Sequence, residues 1–432
     1  MIRVERRNAG RGRLVWATFI VFLVVFGLTT PFDFSWPHTV LLRENIISTM
    51  EAIARMQHGN MGRRLGMLLL AAFSLFSLTR TENRYRINVP TGVFLILYLG
   101  WVLLSLSWAV DVPFTLRRVV TVSILWFGAV AAAGRYSLRE LAEIAVLVTG
   151  TSLALAIGNE LRLHTMDPLN ELWRFSGIFH TVAMGWNCGL LALAAMFLVT
   201  DEKRNGRRCM LWFVICVAIV FLLLTKSRMA VAASVLSMGY YWYRVVSGSK
   251  KMLLVLGLII VSCLAYLASG NRLLYYGEEA STLGRGESAK ESVGSLTGRI
   301  PLWTECFKWS AKRPIVGYGF NSFVGPKNID IIARNVGWIP NSIHSGYIDA
   351  ITGLGYVGAA FLISLLLSAL ARSWFLSYRY PEYIFVVSVL IWLSYNLFLE
   401  ANLLTRPLFM TFFCMTLLAR LALLPRKEWE RR

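Results

Sequence analysis

His344 follows Pro340-Asn341-Ser342-Ile343 and stands where polar sequence gives way to a long apolar run. An imidazole in that place titrates near neutral pH and has the chemistry of a general base. Asp349 lies about one helical turn further on, in position to orient the ring. Gly353, Gly355 and Gly358, with Ala359, allow another helix to approach closely. A second candidate is the turn Thr225-Lys226-Ser227-Arg228, set between two apolar runs. Two cations there are costly unless they meet lipid headgroups or an anion. Ser227 can cap the following helix, whose N–H groups and positive dipole end favour anions. Lys226, Arg228 and a helix start therefore suit a phosphate, and they equally suit snorkelling to headgroups. Arg299 joins this set if its loop folds it back toward Arg228. Glu400 and Arg406 stand at the ends of two further apolar runs, where Glu400 can pair with Arg406, with Arg228 or with a substrate.

The elements that must position these groups are membrane spans. The chain has 432 residues, 56% hydrophobic and 16% charged, with a mean hydropathy of +0.57. A soluble protein carries about a quarter charged residues. Apolar runs of the length that crosses a bilayer recur along the chain. Hydropathy predicts an all-α polytopic membrane protein with about twelve spans. They fall near 14–32, 64–79, 90–108, 118–134, 141–157, 181–200, 209–225, 229–246, 252–270, 346–371, 383–399 and 407–424. The first run lacks a small-residue cleavage site and reads as a span, not a signal peptide. This divides the chain into 1–270, nine spans; 271–343, one large outer loop; and 344–432, three spans and a tail.

The net charge of +20 follows from the positive-inside rule and calls for no nucleic acid. With both termini in the cytoplasm, Arg3, Arg6, Arg7, Arg80, Arg84, Arg135, Arg139, Lys203, Arg204, Arg207, Arg244, Arg372 and Arg379 all fall inside. Arg63, Arg64, Arg117 and Arg118 fall outside and are exceptions. The loop has two halves. Gly277–Ser295 is polar and reads as flexible. Gly298–Phe323 carries Leu302, Trp303, Phe307 and Trp309 near helical spacing, with Pro314 behind them. It predicts a short amphipathic helix along the outer membrane surface.

Several classes are excluded. The five histidines are scattered without metal-ligand spacing, and five of the six cysteines lie in or beside apolar runs, so neither a zinc site nor a disulfide framework is expected. No P-loop, dinucleotide fingerprint or hydrolase elbow is present. No Asp-x-Asp marks a metal-dependent sugar-nucleotide transferase. No six-plus-six repeat of the transporter kind is evident, though a precursor transporter or flippase stays as the alternative from another class.

His344-Ser345, a nine-residue gap to Gly355, and then Gly358 fit the pattern H-[NSQ]-x9-G-x-x-[GTY]. That pattern resembles the signature of the O-antigen ligase and Wzy-type polymerase superfamily. "TKSRMA" (Thr225–Ala230), "TGRIPLW" (Thr297–Trp303), "PIVGYGFNSF" (Pro314–Phe323) and "SLSWAVDVPFTLRR" (Ser105–Arg118) resemble further family segments. The stretch at His180 departs from it, since the family's His-x-Asn lacks its Asn here. The resemblance implies metal-independent, inverting glycosyl transfer at the periplasmic face of the bacterial inner membrane, without a cofactor. The implied donor is a glycan on undecaprenyl diphosphate. The acceptor is a second lipid-linked repeat unit, in an exopolysaccharide polymerase of the ExoQ-like branch, or lipid A-core, in an O-antigen ligase. A chain-length regulator is a possible partner. Within the family the residue matching His344 is the proposed base, and those matching Arg228 and Arg299 hold the diphosphate; Lys226 is assigned here to the same diphosphate, with Ser227, Asp349 and Glu400 as support.

Overall fold

The computed structural model describes residues 2–29, 60–79, 85–168, 170, 173–246, 248, 299–340, 342–400 and 404–425. The expected ninth span, the Gly277–Ser295 half of the loop and the C-terminal tail lie outside the described residues. The helices are α1 (Ile2–Thr29), α2 (Met61–Thr79), α3 (Thr91–Leu104), α4 (Val112–Arg135), α5 (Leu138–Arg162), α6 (Thr181–Thr200) and α7 (Asn205–Leu224). They continue with α8 (Arg228–Val245), α9 (Arg299–Ser310), α10 (Ile329–Val336), α11 (Gly346–Arg379), α12 (Tyr383–Asn396) and α13 (Phe409–Ala422). Two three-residue strands, β1 (Tyr85–Ile87) and β2 (Leu423–Pro425), pair antiparallel.

Among the described residues, six helices, α2, α4, α5, α6, α7 and α11, are long and apolar enough to cross a membrane. The apolar parts of α1, α3, α12 and α13 are shorter. The expected count of twelve is therefore matched in part. α8 occupies the predicted eighth span but is not among the six; its Ser234, Ser237 and Tyr241 are buried in the bundle. α6, α12 and α13 are apolar on nearly every side and buried, the pattern of central helices. α2 and α7 instead leave Leu68, Leu75, Phe76, Phe213, Val220 and Leu223 exposed, as helices facing lipid do.

The helices alternate in direction, so polar groups gather at two ends. One end holds the β1–β2 pair, Arg372 against Asn88, and Arg420 donating to the carbonyls of Ala133 (3.0 Å) and Tyr136 (2.8 Å). It also holds Arg207, 2.8 Å from Glu143 and 3.3 Å from Glu202. The other end holds the turn at Thr225–Arg228, the segment 299–345 and Glu400.

That second end is organised by a break in α11. The helix is 34 residues long, and Gly355 within it has φ 70° and ψ −178°. A straight helix of that length would reach about 50 Å, well beyond an apolar core of about 30 Å. Into the break comes Pro314–Gly319. Tyr318 N donates to Thr352 O (3.0 Å), Gly319 N to Gly353 O (2.8 Å) and Tyr356 N to Pro314 O (2.8 Å). The glycines predicted to admit a neighbouring helix at 353 and 355 thus admit a loop. The stretch between α3 and α4 closes over it: Trp108 Nε1 donates to Val316 O (2.8 Å) and Val110 N to Tyr318 O (3.1 Å).

α9 occupies the segment expected to form the loop helix. Leu302, Glu305, Cys306 and Ser310 are buried, while Ile300 and Phe307 are exposed. The inward face thus carries a carboxylate, because Glu305 accepts from Trp309 Nε1 (2.8 Å) and from Asn335 Nδ2 on α10 (2.7 Å).

A methyl group at Gly355 would sit 2.1 Å from Ile315 O. Left-handed backbone alone costs a non-glycine residue roughly 1–2 kcal/mol. Gly355→Ala is expected to lower the thermal midpoint in detergent and to speed tryptic cleavage after Lys312. Gly239→Ala, where the added methyl meets nothing within 4 Å, should leave both unchanged.

Candidate functional site

Two separate segments bring their side chains to Glu400, and a third acts on one of them. α9 begins at Arg299, whose Nη2 lies 3.5 Å from Glu400 Oε1. The strand-like approach to α11 brings His344, with Nδ1 3.6 Å from the same oxygen. Arg228, the first residue of α8, acts electrostatically on Arg299. Glu400 itself, just beyond α12, is buried at 6% exposure. Burial holds the Arg299 guanidinium below its ordinary pKa; Glu400 opposes that shift and Arg228 adds to it.

His344 is placed by backbone more than by hydrogen bonds. It has φ 55°, a left-handed conformation that is uncommon outside glycine and often marks functional strain. Its neighbours are tied down: Trp303 Nε1 donates to Ile343 O (2.9 Å), Ser345 Oγ accepts from Ile348 N (3.4 Å), and Gly346 N donates to Leu397 O (2.8 Å). Nδ1 makes no hydrogen bond. Asp349 does not orient the ring, as the sequence spacing suggested. One turn of α11 carries it toward Tyr98 and Arg118, with which it interacts electrostatically. Glu400 takes the place expected of Asp349.

The turn before α8 also differs from expectation. Ser227 holds the N-cap position, but its hydroxyl makes no capping bond. Instead it is buried against α6, where Gly185 leaves room; a Cβ there would meet Ala230 at 2.8 Å and Ser227 at 3.4 Å. Lys226 has φ 48°, and its ammonium donates to Asn170 O (3.2 Å). Lys226 therefore secures the turn, and the guanidiniums of Arg228 and Arg299 are the cations brought together.

Glu160, near the end of α5, was missed by sequence reasoning. It is fully buried and accepts from Ser176 N (3.1 Å), Gly177 N (3.0 Å) and Trp173 Nε1 (3.2 Å). It thereby folds the loop before α6 into a platform for the turn: Phe175 N donates to Leu224 O (2.9 Å) and Arg174 Nε to Thr225 O (3.1 Å). The available signal was an acid at the end of an apolar run, four residues before a histidine. His180, also in this platform, caps α6 by accepting from Val182 N (3.4 Å).

Chemically, the arrangement offers a base with its carboxylate partner beside a pair of guanidiniums. Among the described residues, no three His, Cys, Asp or Glu side chains gather as a metal-ligand set. A family model described as O-antigen ligase matches residues 211–363. The match takes in Lys226, Ser227, Arg228, Arg299, His344 and Asp349, while Glu400 lies beyond it. Comparison with curated proteins gives no match.

Removing the Glu160 carboxylate leaves buried N–H groups unsatisfied, each at a cost of roughly 1–3 kcal/mol. Glu160→Ala is expected to lower the thermal midpoint clearly, and Glu160→Gln, which keeps one acceptor oxygen, to lower it less. Thermal unfolding in detergent of both variants beside the parent checks this; equal stability in all three would show that the platform does not depend on the carboxylate.

Proposed function

We propose that this member of the O-antigen ligase/Wzy-type superfamily, a membrane glycosyltransferase of the ligase or polymerase type, joins undecaprenyl-diphosphate-linked oligosaccharide units at the periplasmic face of the inner membrane, most specifically as an exopolysaccharide polymerase. The observation that carries the reading is the meeting of His344, Glu400, Arg299 and Arg228 from segments far apart in the chain. His344 takes the proton of the acceptor hydroxyl. That oxygen attacks the anomeric carbon of the donor, and the bond from this carbon to the diphosphate oxygen breaks on the opposite face, inverting the centre. Glu400 steadies the imidazolium that forms. Arg228 and Arg299 take up the charge of the departing undecaprenyl diphosphate, a task suited to a planar fork of donors. Fixed cations in a low-dielectric site stabilise such charge without reorganising. With two guanidiniums in that role, a divalent ion is not required.

The same geometry serves an O-antigen ligase whose acceptor is lipid A-core, and the glycans of a deletion strain separate the two. Loss of long-chain exopolysaccharide with intact lipopolysaccharide identifies the polymerase; bare lipid A-core with accumulated lipid-linked glycan identifies the ligase.

His344→Ala is expected to cut transfer by roughly 10²–10⁴-fold, the usual worth of a positioned base, with expression and donor binding retained. Polymer of near-normal length made by that variant in reconstituted vesicles would remove the assignment. Transfer is also expected to persist in EDTA; loss with the chelator and recovery on adding a divalent cation would overturn the metal-independent reading.

A further inference from the structure

The mouth around His344 has an aromatic wall that the chemistry above does not use. The Trp338 indole lies beside the imidazole, with ring centroids 6.2 Å apart and planes inclined by 38°. The two rings thus meet at an angle and not in face-to-face contact, which would bring their atoms to about 3.5–4.0 Å. Local structure sends the indole there. α10 ends on Gly337, whose φ of 85° turns the chain off the helix while its N–H closes on Ala333 O (2.8 Å). Trp338 is the next residue, so it leaves the helix instead of continuing along it. α10 is anchored by buried Ile329 and Ile332 and is joined to α9 by Asn335 donating to Glu305 (2.7 Å). α9 begins at Arg299 and holds the His344 segment through Trp303 to Ile343 O (2.9 Å). Indole, imidazole and guanidinium therefore sit on one tied unit, with Trp338 packed on the cluster built from Leu302, Cys306, Ile332 and Ile343.

The tryptophans of this cap are used in two ways. Trp108, Trp303 and Trp309 donate their indole N–H groups to Val316 O, Ile343 O and Glu305, so they are structural. Trp338 is half-buried, and its N–H has no acceptor among the described residues and is not enclosed. Its ring and its N–H are thus both open to the space beside the base. His344 shows a matching asymmetry. Nδ1 lies toward Glu400 (3.6 Å), which leaves Nε2, on the other side of the ring, for an incoming hydroxyl. A sugar presents two unlike surfaces to a site of this kind, with hydroxyls around the ring edge and C–H groups on its face. The negative face of an indole suits the C–H groups, and its N–H suits a hydroxyl.

We infer that Trp338 is the stacking platform of an acceptor subsite, on which a pyranose ring lies with one edge hydroxyl turned to His344. The assignment of that sugar as acceptor rests on the glycosyl-transfer reading; the carbohydrate subsite itself does not. The indole sets which ring face is bound and therefore which hydroxyl meets the base, so Trp338 is a specificity-determining residue and takes no proton itself. The sugar belongs either to a repeat unit or to lipid A-core, and the contact has the same chemistry in both.

The test uses the full chain in proteoliposomes with a lipid-linked donor and a lipid-free acceptor. The acceptor probes are the oligosaccharide released by mild acid from the strain's own lipid-linked glycan, and the core oligosaccharide released from its lipopolysaccharide. Trp338→Leu keeps apolar bulk but not the aromatic face. It is expected to raise the acceptor KM by at least about tenfold for one of the probes, with kcat at saturating acceptor, donor KM and thermal midpoint unchanged. Trp338→Phe, which keeps a ring, should raise it by less than about threefold. If Trp338→Leu does not fold, Trp338→Met carries the comparison. The probe that is affected identifies the source of the sugar, repeat unit or core. An acceptor KM unchanged for both probes overturns the subsite, and a fall in kcat alone would make Trp338 a prop for His344. A rise in donor KM instead overturns the acceptor assignment. Saturation-transfer NMR of the same oligosaccharides with the chain in detergent gives a readout that needs no reaction. Contact seen with the parent, lost in Trp338→Leu and kept in Trp338→Phe, sustains the carbohydrate subsite. If that parent forms no glycosidic bond, the glycosyl-transfer reading alone is removed. A parent that transfers while all three proteins show equal contact keeps the reading and removes the platform.

Discussion

The arrangement of the polar end depends on backbone pairing inside an interrupted helix. An α-helix has no spare amides with which to hold a loop. At Gly355 the helix opens, and Thr352, Gly353 and Tyr356 lend their backbone groups to Pro314–Gly319. The approach is too close for side chains: a Cβ at Gly317 would lie 2.6 Å from Gly355 N. This seam fixes the loop that ends at His344 relative to the helix that begins there. It also orders the α3–α4 connection, through Trp108 to Val316 and Ser105 Oγ accepting from Phe320 N (3.1 Å). The bilayer adds a reason for such economy, since backbone groups near its core must find partners within the protein.

On that frame, a single carboxylate sets the electrostatics. Glu400 is buried and touches both a guanidinium and an imidazole. Its value lies less in net stability than in fixing which charges share a space, since a buried pair often gains little over apolar packing. On the proposed reading the substrate's glycan is polar and its tail apolar, and the phosphate at their junction is the feature that arginines at a helix end can hold.

Much of this was legible in the sequence. The membrane class followed from apolar run lengths; counting spans put Arg228, Arg299 and His344 on one side, and the resemblance implied that they work together. The segments Ser105–Arg118, Pro314–Phe323 and the glycines after His344 were recognisable one by one, but not as partners in one backbone seam. Sequence spacing could not show that Asp349 turns away from His344, because a residue about one turn on shares a face only if the helix begins before the first of the two. Here α11 begins after His344, at Gly346. Ser227 was misread for a related reason: a good capping residue caps only if its side chain is left exposed to the helix end, and Gly185 draws this one into the bundle. Glu160 carried no motif at all; its role is set by the loop that folds onto it.

The left-handed backbone at His344 has one more consequence. The ring is aimed by a φ of 55° and not by a hydrogen bond to Nδ1, so the identity of this residue and the shape of the chain around it are coupled. Side chains differ in how readily they accept that conformation, with asparagine and aspartate the most tolerant after glycine. Evolutionary drift at this position is thereby narrowed by stereochemistry, and on the proposed reading by chemistry as well; an asparagine there would preserve the fold of the mouth while removing the proposed base.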